Sequence, residues 1–267
     1  MFLRKFFPII LLVFCFSCSN YQKVLKSSDY KLKQEKAIEL YNKKDYQRAY
    51  PLLEELVSVK RGTADAEDLY YYYCYCNYYM DDLVSASYHF QQFALTYPSS
   101  PRAEEASYRN AYCYYLGSPG HSLDQTNSIK AIEEMQIFIN HYPTSKYVAE
   151  FNGLIDKLRN KMEVKAYETA ILYYKTRDYR AAVVSLKNVL KDYPATAYRE
   201  EILFTIVKSN YLLAENSVDS KKYERYKNTI EAYYTFIDKF AAGKYALEAK
   251  SIFEKATERF NVLKPIN

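Results

Sequence analysis

The chain has 267 residues, a formal charge of +5, 32 tyrosines and no tryptophan. Five glycines and eight prolines leave little for turns, and the abundance of Ala, Glu, Lys and Leu predicts an all-α protein. A charge so near neutral argues against nucleic acid as a partner, and beyond the first residues no apolar run is long enough to span a bilayer.

Arg4 and Lys5 lead an apolar run over residues 6–16 that stops at Ser17-Cys18-Ser19-Asn20. The run is too short for a permanent membrane helix, and its basic flank reads as a cleaved export signal covering residues 1–17. Phe16-Ser17-Cys18 resembles the end of a bacterial lipoprotein signal, although Cys15 and Phe16 stand where the usual pattern has Leu and a small residue. In that class the cysteine, here Cys18, carries a diacylglycerol on its thiol and a further acyl chain on its amine. Each buried methylene contributes roughly 0.8 kcal/mol, so such an anchor is firm. Ser19 after the cysteine goes, in well-studied lipoproteins, with sorting to the outer membrane. Residues 18–28 then form a lipidated tether.

From there a phrase recurs. Tyr97-Pro98, Tyr142-Pro143 and Tyr193-Pro194 each follow an alanine, Ala86, Ala131 and Ala182, placed eleven residues earlier, with a weaker copy around Phe236 and Phe240. Asp45, Asp82 and Asp178 open three of the segments and can cap the second helix of a hairpin, while the alanine lets the partner helix approach closely. Proline ends each unit because it lacks the amide and clashes one turn back. Ser100 and Pro101 suit the cap and first position of the next helix, with Glu104 and Glu105 favouring its positive end. The units fall at 29–62, 63–101, 102–145, 146–196 and 197–260, with inserted turns at 117–128 and 215–222. Pro51 falls inside a second helix and should kink or delay it. Small, aromatic and proline residues in these places resemble the tetratricopeptide repeat, which predicts a superhelix of about five helix pairs with a binding surface.

In such repeats the first helix of each pair lines the inner surface. Offsets of fifteen, eleven and eight residues before the packed alanine mark one helical stripe. The stripe is Gln34, Ile38 and Tyr41 in unit one, Tyr71, Tyr75 and Tyr78 in unit two, and Tyr167, Ile171 and Tyr174 in unit four. The opposite stripe of unit two, Leu69, Tyr72, Tyr73 and Cys76, is apolar as well. A helix apolar on both sides is buried all round or lends one side to a partner, and tyrosine suits either use.

Catalytic patterns are missing from the sequence: there is no glycine-rich phosphate loop, no paired-histidine zinc motif and no nucleophile elbow, and His89, His121 and His141 are scattered. The acidic pairs Glu54-Glu55, Glu104-Glu105 and Glu133-Glu134 read as solvated helix faces. Cys74, Cys76 and Cys113 read as buried thiols, with a disulfide from Cys113 to one of the others as the alternative in an oxidising compartment. The reading is a binding protein, not an enzyme, with no cofactor and no metal.

Residues 158–212, with Tyr173-Tyr174, Arg177-Asp178-Tyr179, Ala182 and Leu190-Lys-Asp-Tyr193-Pro194, are similar to the BamD family of outer-membrane assembly lipoproteins. The resemblance implies a periplasm-facing scaffold held to the outer membrane through Cys18. Its early repeats, 29–145, would receive unfolded outer-membrane β-barrel proteins, and its later repeats, 146–260, would dock the POTRA domains of the barrel-assembly protein, leaving 261–267 as a tail. Substrate signals ending in aromatic residues agree with the stripe Gln34, Ile38, Tyr41, Tyr71, Tyr75 and Tyr78. Tyr167, Ile171, Tyr174 and Lys187 fall on the docking side. Where familiar members carry an arginine this chain has Ser185-Leu186-Lys187, and a lysine lacks the planar fork. A glycan- or nutrient-binding lipoprotein and another periplasmic repeat adaptor are the competing readings.

Overall fold

The computed structural model describes residues 20–263, so Cys18 and the export signal lie outside the described residues. A helical turn over residues 20–25 precedes α1 (Tyr30–Asn42), α2 (Tyr46–Val59), α3 (Ala66–Tyr79), α4 (Leu83–Thr96), α5 (Ala103–Leu116), α6 (Thr126–His141), α7 (Val148–Lys175), α8 (Tyr179–Asp192), α9 (Arg199–Glu215), α10 (Asp219–Phe240) and α11 (Ala246–Val262). The described residues are all-α, and α1 to α10 follow one another as five helical hairpins. The wide spacing between the first two Tyr-Pro phrases comes from the loop before α6, and the next comes from the 28-residue α7. The last segment holds three helices, because α11 follows the fifth hairpin.

Local chemistry sets the hairpins. The carboxylates of Asp45, Asp82 and Asp178 accept the amides of Arg48, Ser85 and Ala181, capping α2, α4 and α8 as their sequence position requires. Each is preceded by a residue in the left-handed region, Lys44, Asp81 and Arg177 at φ of 60, 64 and 65°. That residue reverses the chain and turns the amide of the capping aspartate back onto Leu40, Asn77 or Tyr173. Helix α2 starts directly after Asp45 and runs on through Pro51, whose missing amide frees only the carbonyl of Gln47. Ser100 and Pro101 precede α5 instead of opening it: the helix begins at Ala103, and Ser100 Oγ accepts the amide of Arg102.

The chain divides into two compact units. The first comprises the described residues to Pro119 and Asp124–Leu158, the second Gly120–Leu123 and Arg159 onward. In the first, Leu40, Leu52, Leu53, Leu56 and Leu69 form one cluster, Cys74, Phe90, Phe93 and Cys113 a second, and Met135, Phe138, Phe151 and Leu158 a third. In the second, Leu186, Ile202, Val207 and Phe236 are the centre. Ala86, Ala131 and Ala182 are wholly buried, as the repeat phrase requires. Cys74, Cys76 and Cys113 are buried and free; loss of hydration pushes the thiols of Cys76 and Cys113 up to about 12.

Candidate binding faces

In the first unit the tyrosine stripe is continuous. Tyr71 and Tyr75 meet edge to face at 4.9 Å, and Tyr75 and Tyr78 at 6.2 Å. Tyr75 is buried, whereas Tyr71 and Tyr78 are half-exposed. Their hydroxyls turn to α5. Tyr71 and Tyr75 both donate to the Glu105 carboxylate, Tyr71 at 2.8 Å, and Arg109 Nε donates to Tyr75 Oη at 3.1 Å. The Arg109 guanidinium lies 5.2 Å from the Tyr78 ring centre and 5.4 Å from that of Tyr108, and Arg102 lies 4.6 Å from that of Tyr71. Burial, with the Glu105 charge beside it, pushes the Tyr71 phenol up to about 12. The face therefore presents a half-exposed cation among aromatic rings.

Gln34 and Ile38 are half-buried on α1. The Tyr41 ring meets the opposite stripe instead, 4.7 Å from Tyr72, and lies 5.5 Å from Tyr46, while its side chain packs against both of the first two clusters, the second of which contains Tyr75. Glu105 and Arg109 were not singled out from the sequence as partners of the tyrosines. Their spacing of four residues puts both on one face of α5, which is the signal that would have found them.

The acidic pairs are not simply solvated. Glu55 bonds the buried Lys33 at 2.5 Å, Glu105 holds two tyrosines, and Glu134 is buried beside Asn110 at 2.8 Å and Lys130 at 3.2 Å. A helix surface built from charged residues gives no hint from sequence of which carboxylate a neighbouring helix will cover. Glu134 sits beneath an apolar groove of about 290 Å³ between α4 and α6, edged by Leu95, Ile137 and Phe138.

In the second unit Tyr167 stacks on Tyr198, with centroids 4.1 Å apart and planes 5° from parallel; Ile171 packs on the core, and Tyr174 lies 6.1 Å from Tyr179. Lys187 is elsewhere. It is exposed on α8, on the wall of a groove of about 630 Å³ that runs between α8 and α10 over Leu203, Ile206 and Leu213 of α9. Arg180, Lys221 and Arg225 also line that groove, with Glu224 and Glu231. Tyr167, Ile171 and Tyr174 are not among its walls, so the four residues fall into two places. Both units thus hold a groove between successive second helices, apolar in one and basic-rimmed in the other.

Among the described residues no His, Cys, Asp and Glu cluster could hold a metal ion, and no helix is long and apolar enough to cross a membrane. The fold and these faces define a helical-hairpin repeat protein that offers a groove in each unit. A family model for outer membrane lipoproteins, YfiO, matches residues 29–226, and the chain belongs to that family. Among curated proteins it is 25% identical over 125 residues to an outer membrane protein assembly factor BamD of Caulobacter vibrioides, covering 47% of this chain and 41% of that protein. It is 24% identical over 131 residues to the same factor of Rickettsia prowazekii, covering 49% and 52%. The chain thus spans about half the length of these relatives. A solved TPR domain of P58(IPK) aligns with 92% of this chain and 69% of its own at 13% identity and a TM-score of 0.41.

Proposed function

We propose that this chain is a lipid-anchored subunit of the machinery that assembles β-barrel proteins into the outer membrane, facing the periplasm and working by binding. The observation that carries this reading is the family match, which runs through both units, together with relatives that bear the name of outer membrane protein assembly factors. Repeated hairpins whose buried surfaces are used up between neighbours leave grooves and stripes for partners, in keeping with a scaffold.

The second unit is assigned to POTRA domains of the barrel-assembly protein. Lys187 and Arg180 on the rim of the α8–α10 groove supply charge, and Tyr167, Ile171 and Tyr174 supply a second contact. The first unit is assigned to unfolded barrel substrates whose terminal strands end in aromatic residues. There Tyr71 and Tyr78 offer half-exposed rings with Arg102 and Arg109 over them, Tyr75 positions them from beneath, and Gln34, Ile38 and Tyr41 extend the face along α1.

The test is purification of the tagged, acylated protein from outer membranes in mild detergent. Recovery of a POTRA-bearing barrel protein in near-equal amount, lost in a Lys187→Glu, Arg180→Glu variant, is the expected outcome. Recovery of only a nutrient transporter or a cell-wall enzyme would overturn the reading. On the substrate side, Tyr71→Ala with Tyr78→Ala is expected to weaken a peptide ending in phenylalanine about tenfold, which is about 1.4 kcal/mol for the pair. Unchanged affinity would remove the first unit from that role.

A further inference from the structure

The described segment from Tyr21 onward is packed, and it begins at one particular end of the first hairpin. Tyr21 Oη donates to the carbonyl of Arg48 at 3.0 Å, the Arg48 guanidinium lies 6.0 Å from the Tyr21 ring centre, and Val24 and Leu25 pack on the cluster of Leu40 and Leu52. Arg48 is in the first turn of α2, so Tyr21 lies at the end of the hairpin where α1 turns into α2. The chain then runs back to the cap of α1 at Asp29. Three peptide units separate Cys18 from Tyr21, which bounds the distance between their Cα atoms to about 11 Å whatever path the chain takes.

That end of the hairpin has the composition of a membrane interface. A shallow concavity of about 580 Å³ there is lined by Lys43, Lys44, Tyr46, Gln47, Tyr79 and Met80, together with Asp45. Tyr46 and Tyr79 stack at 4.6 Å, and Tyr79 is half-exposed. Lys44 is exposed on a left-handed backbone and makes no ion pair among the described residues, while Lys43 pairs with Glu39. Asp45 is bound to Arg48, and Asp82 caps α4; Asp81, on the neighbouring turn, is outside the lining. Tyrosine and lysine side by side, apolar below and polar at the tip, are the residues that settle at the headgroup level of a bilayer.

We propose that the docked tether seats the α1–α2 end of the first unit in the phospholipid headgroup layer, with Lys44, Tyr46 and Tyr79 against the headgroup phosphates of the leaflet that holds the acyl chains. This rests on the reading of Cys18 as acylated. A flexible arm would let the first unit drift from the surface. A tether packed from Tyr21 onward fixes which end faces the lipid.

The full acylated protein is placed in vesicles of phosphatidylethanolamine and phosphatidylglycerol that carry a headgroup-attached quencher. A fluorophore is attached through Gln47→Cys or Ser58→Cys; both sites are exposed, and they are about 16 Å apart along α2. The buried native thiols stay unlabelled. Several-fold stronger quenching at position 47 than at 58 is expected. The contrast should shrink with Lys44→Glu and vanish when a long Gly-Ser spacer is inserted between Asn20 and Tyr21. Equal quenching at both positions in vesicle-bound protein overturns the inference alone, and a contrast that survives the spacer does the same, because the tether then sets nothing. Protein that mass spectrometry finds without acyl chains and that washes off the vesicles overturns the anchoring reading and the inference with it.

Discussion

Tyr75 shows how one side chain in this molecule serves both packing and charge. Its ring is buried against Phe90, 5.0 Å away and nearly perpendicular, while its hydroxyl donates to Glu105 and accepts from Arg109. Phenylalanine would keep the ring and leave a half-buried carboxylate and guanidinium each one bond short. Tyr75→Phe is therefore expected to cost about 1–2 kcal/mol in urea unfolding. Tyr78→Phe should cost less, since its hydroxyl is 3.5 Å from Arg109 and half-exposed; equal costs would show that Arg109 does not depend on Tyr75. Arg177 is a residue in the opposite situation: it is exposed and left-handed without the freedom of glycine. Relief of that backbone cost outweighs the added entropy of the unfolded chain, so Arg177→Gly should stabilise the protein by about 0.5–1 kcal/mol. A loss of stability would mean that the arginine side chain contributes more than its backbone costs.

Between elements a repeated latch appears that the sequence reading did not anticipate. The second residue of α3, Glu67, accepts from Ser100 Oγ at 2.6 Å, and the second residue of α5, Glu104, accepts from Ser145 Oγ at 2.7 Å. Each ties the start of a hairpin to the turn that ends it. In the fifth hairpin Gly243 takes the serine's place after Phe240, and Glu200, second in α9, accepts from the amide of Tyr245 at 3.3 Å instead. A Cβ on Gly243 would fall on the Glu200 carboxylate. Gly243→Ala should then cost about 1–2 kcal/mol by displacing that carboxylate, whereas Gly243→Ser should cost less by offering it a hydroxyl; an alanine variant as stable as the parent chain would refute the latch. The hairpins, their aspartate caps and the packed alanines were legible because they depend on residues within one or two turns of each other. The latch was not, because a glutamate in the first turn of a helix is equally well explained by the helix dipole. The α11 boundary was hidden for a related reason, since glycine replaces the Ser or Thr that marks the earlier turns. On α3 both faces are apolar, so the sequence left open which stripe α5 would cover; that is decided by Glu105 and Arg109, thirty or more residues away.

At the scale of the whole molecule, tyrosine does the packing that other helical proteins give to Phe, Leu or Trp, so the fold holds many phenols away from water. Tyr41, Tyr70, Tyr73, Tyr75 and Tyr108 in the first unit, and Tyr167 and Tyr226 in the second, are all pushed above the ordinary tyrosine value, chiefly by burial. Their protons are held more tightly in the folded chain than in the unfolded one. Stability from these groups is therefore complete below about pH 10, the value of a free phenol, and falls as pH rises beyond it, because only the unfolded chain can release the protons. Tyr79, Tyr88 and Tyr234, by contrast, lie exposed on the surface. An alkaline titration followed by phenolate absorbance and by helical circular dichroism should show two stages. A first rise near pH 10 leaves the helix signal intact, and a second, steeper one coincides with loss of helix. Phenolate appearing in a single step near pH 10 with the helices unchanged would mean that the buried rings are hydrated in solution, and would remove the packing role assigned here to the tyrosine stripe.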